Sequence, residues 1–132
     1  MNMNQRESGH RWERELAERL SEFFGRVFKT SRAESRTKDN QKIDFVCIDC
    51  EPSFPVEFQA KEQTIKSDAK SYSIKVEALD QMQTTKKRAL LVRLWKKKKT
   101  SKRRTHHGNY MVVDLEFGLE LLKLWDQNSQ KS

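Results

Sequence analysis

The sequence predicts an α/β protein: a mixed central β-sheet flanked by helices, in the order α-β-β-β-α-β-β-α. Three observations carry that expectation. Amphipathic stretches with helical spacing stand near the start, in the middle and at the end of the chain. Short alternating segments follow the first helix, and ALLVRLW, Ala89–Trp95, is a continuous apolar run suited to a strand buried on both faces.

Ser8 to Phe24, SGHRWERELAERLSEFF, reads as a helix with Ser8 as its N-cap and Gly25 as its stop. At ~100° per residue, Trp12, Leu16, Ala17, Leu20, Phe23 and Phe24 share an arc of about 140° that faces the core. Glu13 projects from inside that arc, whereas Glu15, Glu18 and Glu22 lie opposite. A carboxylate aimed at its own sheet is costly unless paired or coordinated, so Glu13 is either bridged at the helix end or functional. RVFKTS (26–31) is a short strand and RAESRTKDNQ (32–41) a polar loop. KIDFVCID (42–49) is a second strand, with Ile43, Phe45 and Cys47 on one face and Asp44, Val46 and Ile48 on the other. CEPSF turns the chain into PVEFQAK, Pro55–Lys61, where Glu57, Gln59 and Lys61 line one face and Val56, Phe58 and Ala60 the other. KEQTIKSDAKSY is polar and irregular; KVEALDQMQTTKK is helical through Val76, Leu79 and Met82. After ALLVRLW come a basic loop at about 96–108, a strand in NYMVVDL, and a final helix in EFGLELLKLW. The expectation is one domain over 1–132, with a core from about 8 to 126 and a disordered polar tail at 127–132.

Of the 132 residues, 35% are hydrophobic and 35% charged, so the core is small and the surface heavily ionised. Lys and Arg number 27 against 19 Asp and Glu, giving +8 and a pI near 9.6. That balance favours a polyanionic partner, nucleic acid first. No apolar run approaches the ~20 residues of a membrane span, and MNMNQRESGH has no signal-peptide core, so a soluble cytoplasmic protein without a membrane partner is expected. Cys47 and Cys50 form half a zinc ligand set at most, with His106 and His107 remote in sequence; two thiols in a reducing compartment are the plainer reading.

If the second and third strands are antiparallel neighbours joined by CEPSF, Asp44 lies close to Gln59 and Lys61. Glu13 then arrives from the helix. Two carboxylates, an amide oxygen and the Ala60 carbonyl are hard donors of the kind magnesium takes, with manganese able to substitute. Lys61, on the same face as Gln59, supplies a mobile point charge for a phosphate or a water. No paired His or Cys nucleophile is present, and a chain with four glycines has no glycine-rich phosphate loop.

These residues resemble the signature of the PD-(D/E)xK nucleases, an acid on one strand and (D/E)-x-K on the next, as Ile43-Asp44 and Gln59-Ala60-Lys61. The opening G-x-x-x-E-R-E-L, Gly9–Leu16, resembles the first helix of archaeal-type Holliday junction resolvases. EFQAKEQ, and the order of elements after it, is similar to RecU, the resolvase family of Gram-positive bacteria and their phages. The likeness spans about residues 9–125. It implies a restriction-endonuclease-like core and a magnesium-dependent endodeoxyribonuclease that resolves four-way junctions, branched DNA, by paired nicks as a homodimer. Such a protein acts on the nucleoid, or in the host cytoplasm if phage-encoded. Glu13, Asp44, Gln59 and Lys61 would be catalytic, with Glu13, Asp44 and Gln59 as metal ligands, Glu57 as the alternate ligand, and Arg14 contributing beside Glu13. The chain departs from the pattern at Ile43, in place of proline, and at Gln59, in place of a carboxylate. Two other readings stay open: an Mrr-like or nicking endonuclease on duplex DNA, and a non-catalytic nucleic-acid-binding module.

Lys96, Lys97, Lys98, Lys99, Lys102, Arg103 and Arg104 put seven fixed charges in twelve residues. They could supply phosphate affinity without reading sequence, as could Arg32 and Arg36 in SRAESR; each is equally at home on a solvated surface. Trp12 and Trp95 read as core or dimer packing. The candidate dimer surfaces are the helix around Met82, Trp95, and FGLELLKLW.

Overall fold

In a computed structural model, the structure describes the backbone of residues 5–130 and the side chains of residues 7–130. Among the described residues, five helices and five strands follow in the order α1 Gln5–Phe24, β1 Phe28–Thr30, α2 Ser31–Glu34, α3 Arg36–Asn40, β2 Phe45–Cys47, β3 Val56–Lys66, α4 Glu77–Asp80, β4 Lys87–Lys97, β5 Arg104–Val112 and α5 Leu115–Gln130. The chain is thus mixed α/β. β1 and β2 form an antiparallel pair; β3, β4 and β5 form a mixed sheet in which β3 runs parallel to β4 and β5 antiparallel to it. The crossover from β3 to β4 carries α4, because parallel neighbours cannot be joined by a tight turn.

Alternation along β3 and β4 divides the core. Phe58, Ala60, Ala89 and Leu91 join Trp12, Leu16, Ala17 and Leu20 of α1 on one face, with Phe28, Phe45 and Phe117. Leu90, Val92 and Leu94 join Ile43, Ala78, Leu79 and Met82 on the other. β4 is accordingly buried from Ala89 to Val92 and at Leu94, as its apolar run requires. α1 ends where Gly25 takes a φ of +63° and the Arg26 N–H reaches back to the Ser21 carbonyl at 3.2 Å, the six-residue closure of a glycine-capped helix.

Several expectations are corrected. α1 starts at Gln5, so Ser8 is no cap; it is buried, and its hydroxyl donates to Glu62. Phe23 is 80% exposed, because the α1 stripe runs past the end of the sheet there. The 32–41 loop is two short helices, the second capped by Ser35 Oγ accepting from the Lys38 N–H. β3 runs five residues beyond Lys61, paired with β4 throughout, where the polar composition read as irregular. The basic segment is mostly strand: β4 continues through Lys97 and β5 begins at Arg104, leaving only a short turn. The helix around Met82 shrinks to four residues, and Met82 itself is buried. Residues 127–130 of the expected disordered tail are helical in α5; 131–132 lie outside the described residues. Among the described residues, no helix is long and apolar enough to cross a membrane.

Candidate active site

Asp44 lies just before β2, after a turn in which Lys42 adopts a left-handed φ of +63°. That turn breaks the alternation read from KIDFVCID. Ile43 points to the α4 side of the core while Phe45 points to the α1 side. Asp44 is left at the edge of β3. Its N–H donates to the Phe58 carbonyl at 2.9 Å, and its Oδ2 accepts from the Ala60 N–H at 2.7 Å. Since the N–H and C=O of one strand residue point to the same edge, the Ala60 carbonyl also faces this side. The Ser31 N–H donates to the Asp44 carbonyl at 2.8 Å, which docks the start of α2 behind it. Asp44 is thus held against Ala60, the residue between Gln59 and Lys61 in β3, and it is held there from the strand edge rather than by the expected antiparallel ladder, since β2 pairs with β1.

Glu13 comes from α1. Its Oε2 accepts from Arg32 Nη2 at 2.7 Å, so Arg32 of α2 holds the helix acid rather than standing free. Burial is the main influence on Asp44 and raises its carboxyl from 3.8 to about 7. The Ala60 hydrogen bond lowers it, the Glu13 charge raises it, Lys61 lowers it, and Asp39 raises it. Glu13, Asp44 and Lys61 thus share one local field. Lys61 itself is exposed.

Gln59 is only 2% exposed. Among the described residues, three buried side-chain polar atoms lack a hydrogen-bond partner, and two of them, Gln59 Oε1 and Ser31 Oγ, belong to residues that flank Asp44. A buried acceptor left unmade is expensive, and such atoms cluster where a ligand or ion completes them. No pattern in SRAESR singled out Ser31, and Asp39 was equally silent.

Glu57, the alternate ligand, is spoken for. Buried at 6% exposure, it accepts from Lys38 at 2.8 Å and lies 3.5 Å from Lys86. Lys86 also donates to Ser53 Oγ and to the Phe54 carbonyl, at 3.0 and 2.9 Å. Glu57 thus ties α3 to the segment before β4, and Lys86 ties that segment to the turn before β3.

Two carboxylates, an orphaned amide oxygen and a carbonyl edge are all hard oxygen donors, the chemical type that divalent cations such as magnesium take. Soft-metal chemistry is placed elsewhere and blocked. Cys47, Asp49 and Cys50 converge, but the two sulfurs are joined as a disulfide, not the two free thiols expected. His106 pairs with Asn109 and His107 lies against Tyr72 and Tyr110, so neither histidine completes a zinc set with the cysteines.

Of the basic residues, Arg14, Arg36, Lys97, Lys98, Lys99, Lys102 and Arg103 are exposed. Arg104 is not a free charge: its guanidinium stacks 4.0 Å from the Trp95 ring and lies 3.7 Å from Glu62. Arg93 in turn stacks on Trp12 at 4.0 Å and reaches Trp95 at 5.7 Å. The column closes the α1 face, and Trp95 belongs to it rather than to a docking surface. On the opposite face, a cleft of about 610 Å³ opens beside Lys61, walled by Gln63, Ile74, Lys75, Gln81 and Val92.

No protein-family model, curated protein or solved structure matches this chain.

Proposed function

We propose that this chain is a magnesium-dependent endodeoxyribonuclease with a restriction-endonuclease-like core, and that its preferred substrate is a four-way DNA junction cut by paired nicks. The reading is supported above all by one arrangement: the buried Asp44 carboxylate is hydrogen-bonded to Ala60, whose neighbours in β3 are Gln59, with an orphaned side-chain oxygen, and the exposed Lys61. Two sheets, β1–β2 and β3–β4–β5, are bridged by the hydrogen bond from Asp44 to Phe58, and that bridge supports the reading by fixing Asp44 at the edge of β3.

A divalent cation held here supplies Lewis acidity and lowers the pKa of water. Asp44, Gln59 and Glu13 would hold it, and manganese would substitute. The Lys61 ammonium, exposed and mobile, grips a non-bridging oxygen of the scissile phosphate. Arg32 keeps the Glu13 carboxylate oriented and offsets the Glu13–Asp44 repulsion. Arg14, Arg36 and the lysines of the β4–β5 turn hold the flanking phosphates without reading bases. Because junction resolution needs two sites related by a two-fold axis, the chain acts as a homodimer, and the exposed apolar residues of α5 are the surface for it.

A second reading, a DNA-binding module without catalysis, is favoured by one observation: an amide at position 59 leaves Asp44, itself raised to about 7, short of a negative neighbour on β3. One assay separates the two. Purified protein is incubated with a four-way junction, a fork and a linear duplex, with and without magnesium. Paired magnesium-dependent nicks in the junction support the resolvase; nicks in every substrate leave a nicking nuclease; binding without cleavage in magnesium or manganese leaves the module.

A further inference from the structure

Near the cleft beside Lys61 stands a row of three rings that the site does not use. Strand register puts one of them, Tyr110, on the sheet face of Lys61, and the other two are in contact with it in series. Lys61 pairs with Val92, which pairs with Tyr110, and directly paired residues project to the same side of a sheet. Two interstrand steps place Tyr110 about 10 Å from Lys61. Beyond it, the His107 ring lies 6.3 Å away at an interplanar angle of 30°, and Tyr72 lies 5.0 Å beyond His107.

The row is built, not incidental. β5 slips register between Leu94 and Trp95, and His107 is the residue left without a partner there. Bulges re-aim side chains in this way. Gly108 makes room for the neighbouring ring: a Cβ at that position would meet Tyr110 Oη at 3.0 Å and Cε2 at 3.1 Å. Unlike the core aromatics, Tyr72 and Tyr110 are 39% and 45% exposed. Their charged neighbour is a cation, Lys96, whose ammonium sits 5.6 Å from the Tyr72 ring, and Lys97, Lys98 and Lys99 follow it.

We propose that Tyr72, His107 and Tyr110 form a stacking platform for unpaired nucleobases of a DNA strand whose phosphates run from Lys61 across the cleft toward Lys96. Rings of this kind hold successive bases by stacking, sequence-tolerantly, while a basic margin tracks the backbone. The ~10 Å from Lys61 corresponds to roughly three rises of 3.4 Å per nucleotide, so the platform takes bases a few positions from the scissile phosphate. The inference rests on the DNA-binding half of the function proposed above and not on catalysis.

The test is anisotropy without magnesium, using a labelled oligothymidylate and a labelled duplex of equal length. Tyr110→Ala and His107→Ala should each weaken oligothymidylate binding about tenfold, as loss of one stacking partner does, and change duplex binding less than about twofold. Tyr110→Phe should bind as the wild type does. Gly108→Ala, which displaces the Tyr110 ring while keeping it, should reproduce Tyr110→Ala. A Lys98→Ala, Lys99→Ala double variant should weaken both probes alike. If the ring variants weaken both probes equally, or neither, the platform is refuted while the DNA-binding reading stands. If the wild type binds neither probe, the platform falls, and the DNA-binding reading falls with it if a labelled four-way junction is not bound either.

Discussion

The Ala60 N–H donates to Asp44 Oδ2 at 2.7 Å, and the Asp44 N–H donates to the Phe58 carbonyl at 2.9 Å. These two bonds clamp a single residue to the edge of β3 through its backbone and its side chain together. The carboxylate cannot swing toward water, which is why burial outweighs the hydrogen bond and pushes it up to about 7.

Asp44→Asn should therefore abolish cleavage and stabilise the cation-free protein. The amide oxygen can still accept from Ala60, but no charge is desolvated. The folded-state value lies above the ordinary 3.8, so the folded protein holds a proton that the unfolded chain releases. The wild type consequently loses stability as pH rises from about 4 to about 7, and the loss is complete above that. The full shift corresponds to about 4 kcal/mol, reduced here to about 2 because Asp44 is only partly shielded from solvent. Thermal melts at pH 5 and pH 8 should show the variant's advantage growing with pH; an advantage that is equal at both, or absent, would mean Asp44 is ionised at little cost.

Magnesium should move the acid limb of the activity profile. The cation-free Asp44 carboxyl is held up to about 7, so at low magnesium cleavage should rise through that pH. A bound cation favours the carboxylate and draws its pKa down. Raising magnesium should shift the half-maximal pH downward by a unit or so. A limb fixed at one pH across the magnesium titration would assign it to another group.

The two buried polar residues of β3 should part company on mutation. Gln59→Glu restores a charge beside Asp44 and should lower the magnesium needed for half-maximal cleavage; Gln59→Ala should be close to inactive. Glu57→Ala removes the shared partner of Lys38 and Lys86 and should cost about 2 kcal/mol of stability, less than a fully buried pair because both lysines can reach water. Its magnesium requirement should not change. Chemical denaturation and a magnesium titration on each variant decide the matter. A Glu57→Ala protein of normal stability that needs more magnesium would make Glu57 the ligand.

What the sequence disclosed of this arrangement was its alternation. Glu57, Gln59 and Lys61 share a face of β3 because a strand has period two, and ALLVRLW is buried because both of its faces are covered. Alternation also misled where the backbone departed from it: the left-handed Lys42 turned Ile43 away from Phe45, and no side-chain pattern announces such a turn. Polar composition hid the second half of β3, whose strand is held by parallel pairing to β4 rather than by burial of its own side chains. Glu13 was legible as an acid on an apolar arc, but its partner Arg32 was not, since a contact between α1 and α2 has no signature in either segment. The orphaned Ser31 hydroxyl left no trace at all. Sequence specifies which faces want burial; which polar atoms end up without partners depends on how separate segments close on each other.

The quaternary state is the remaining test. α5 carries Leu115, Leu119, Leu122 and Trp125 at 72%, 50%, 63% and 71% exposure, with Leu121 and Leu124 also open at 40% and 56%. Only Phe117 is buried. A helix whose apolar side is this broad and this exposed is normally covered, and an uncovered patch of this extent marks an association surface. Leu115, Leu119 and Leu122 are spaced four and three residues apart, so they form one stripe able to meet its own copy across a two-fold axis. The protein should therefore sediment as a dimer at micromolar concentration, with or without DNA. Leu119→Glu with Leu122→Glu should give a monomer whose melting is nearly unchanged, because residues this exposed contribute little to the fold of the single chain. On a four-way junction the monomer should leave single unpaired nicks where the dimer leaves symmetric pairs. A wild type that sediments as a monomer both alone and on the junction would remove the dimer, and the paired-nick resolvase with it. A double variant that stays dimeric would move the interface off α5.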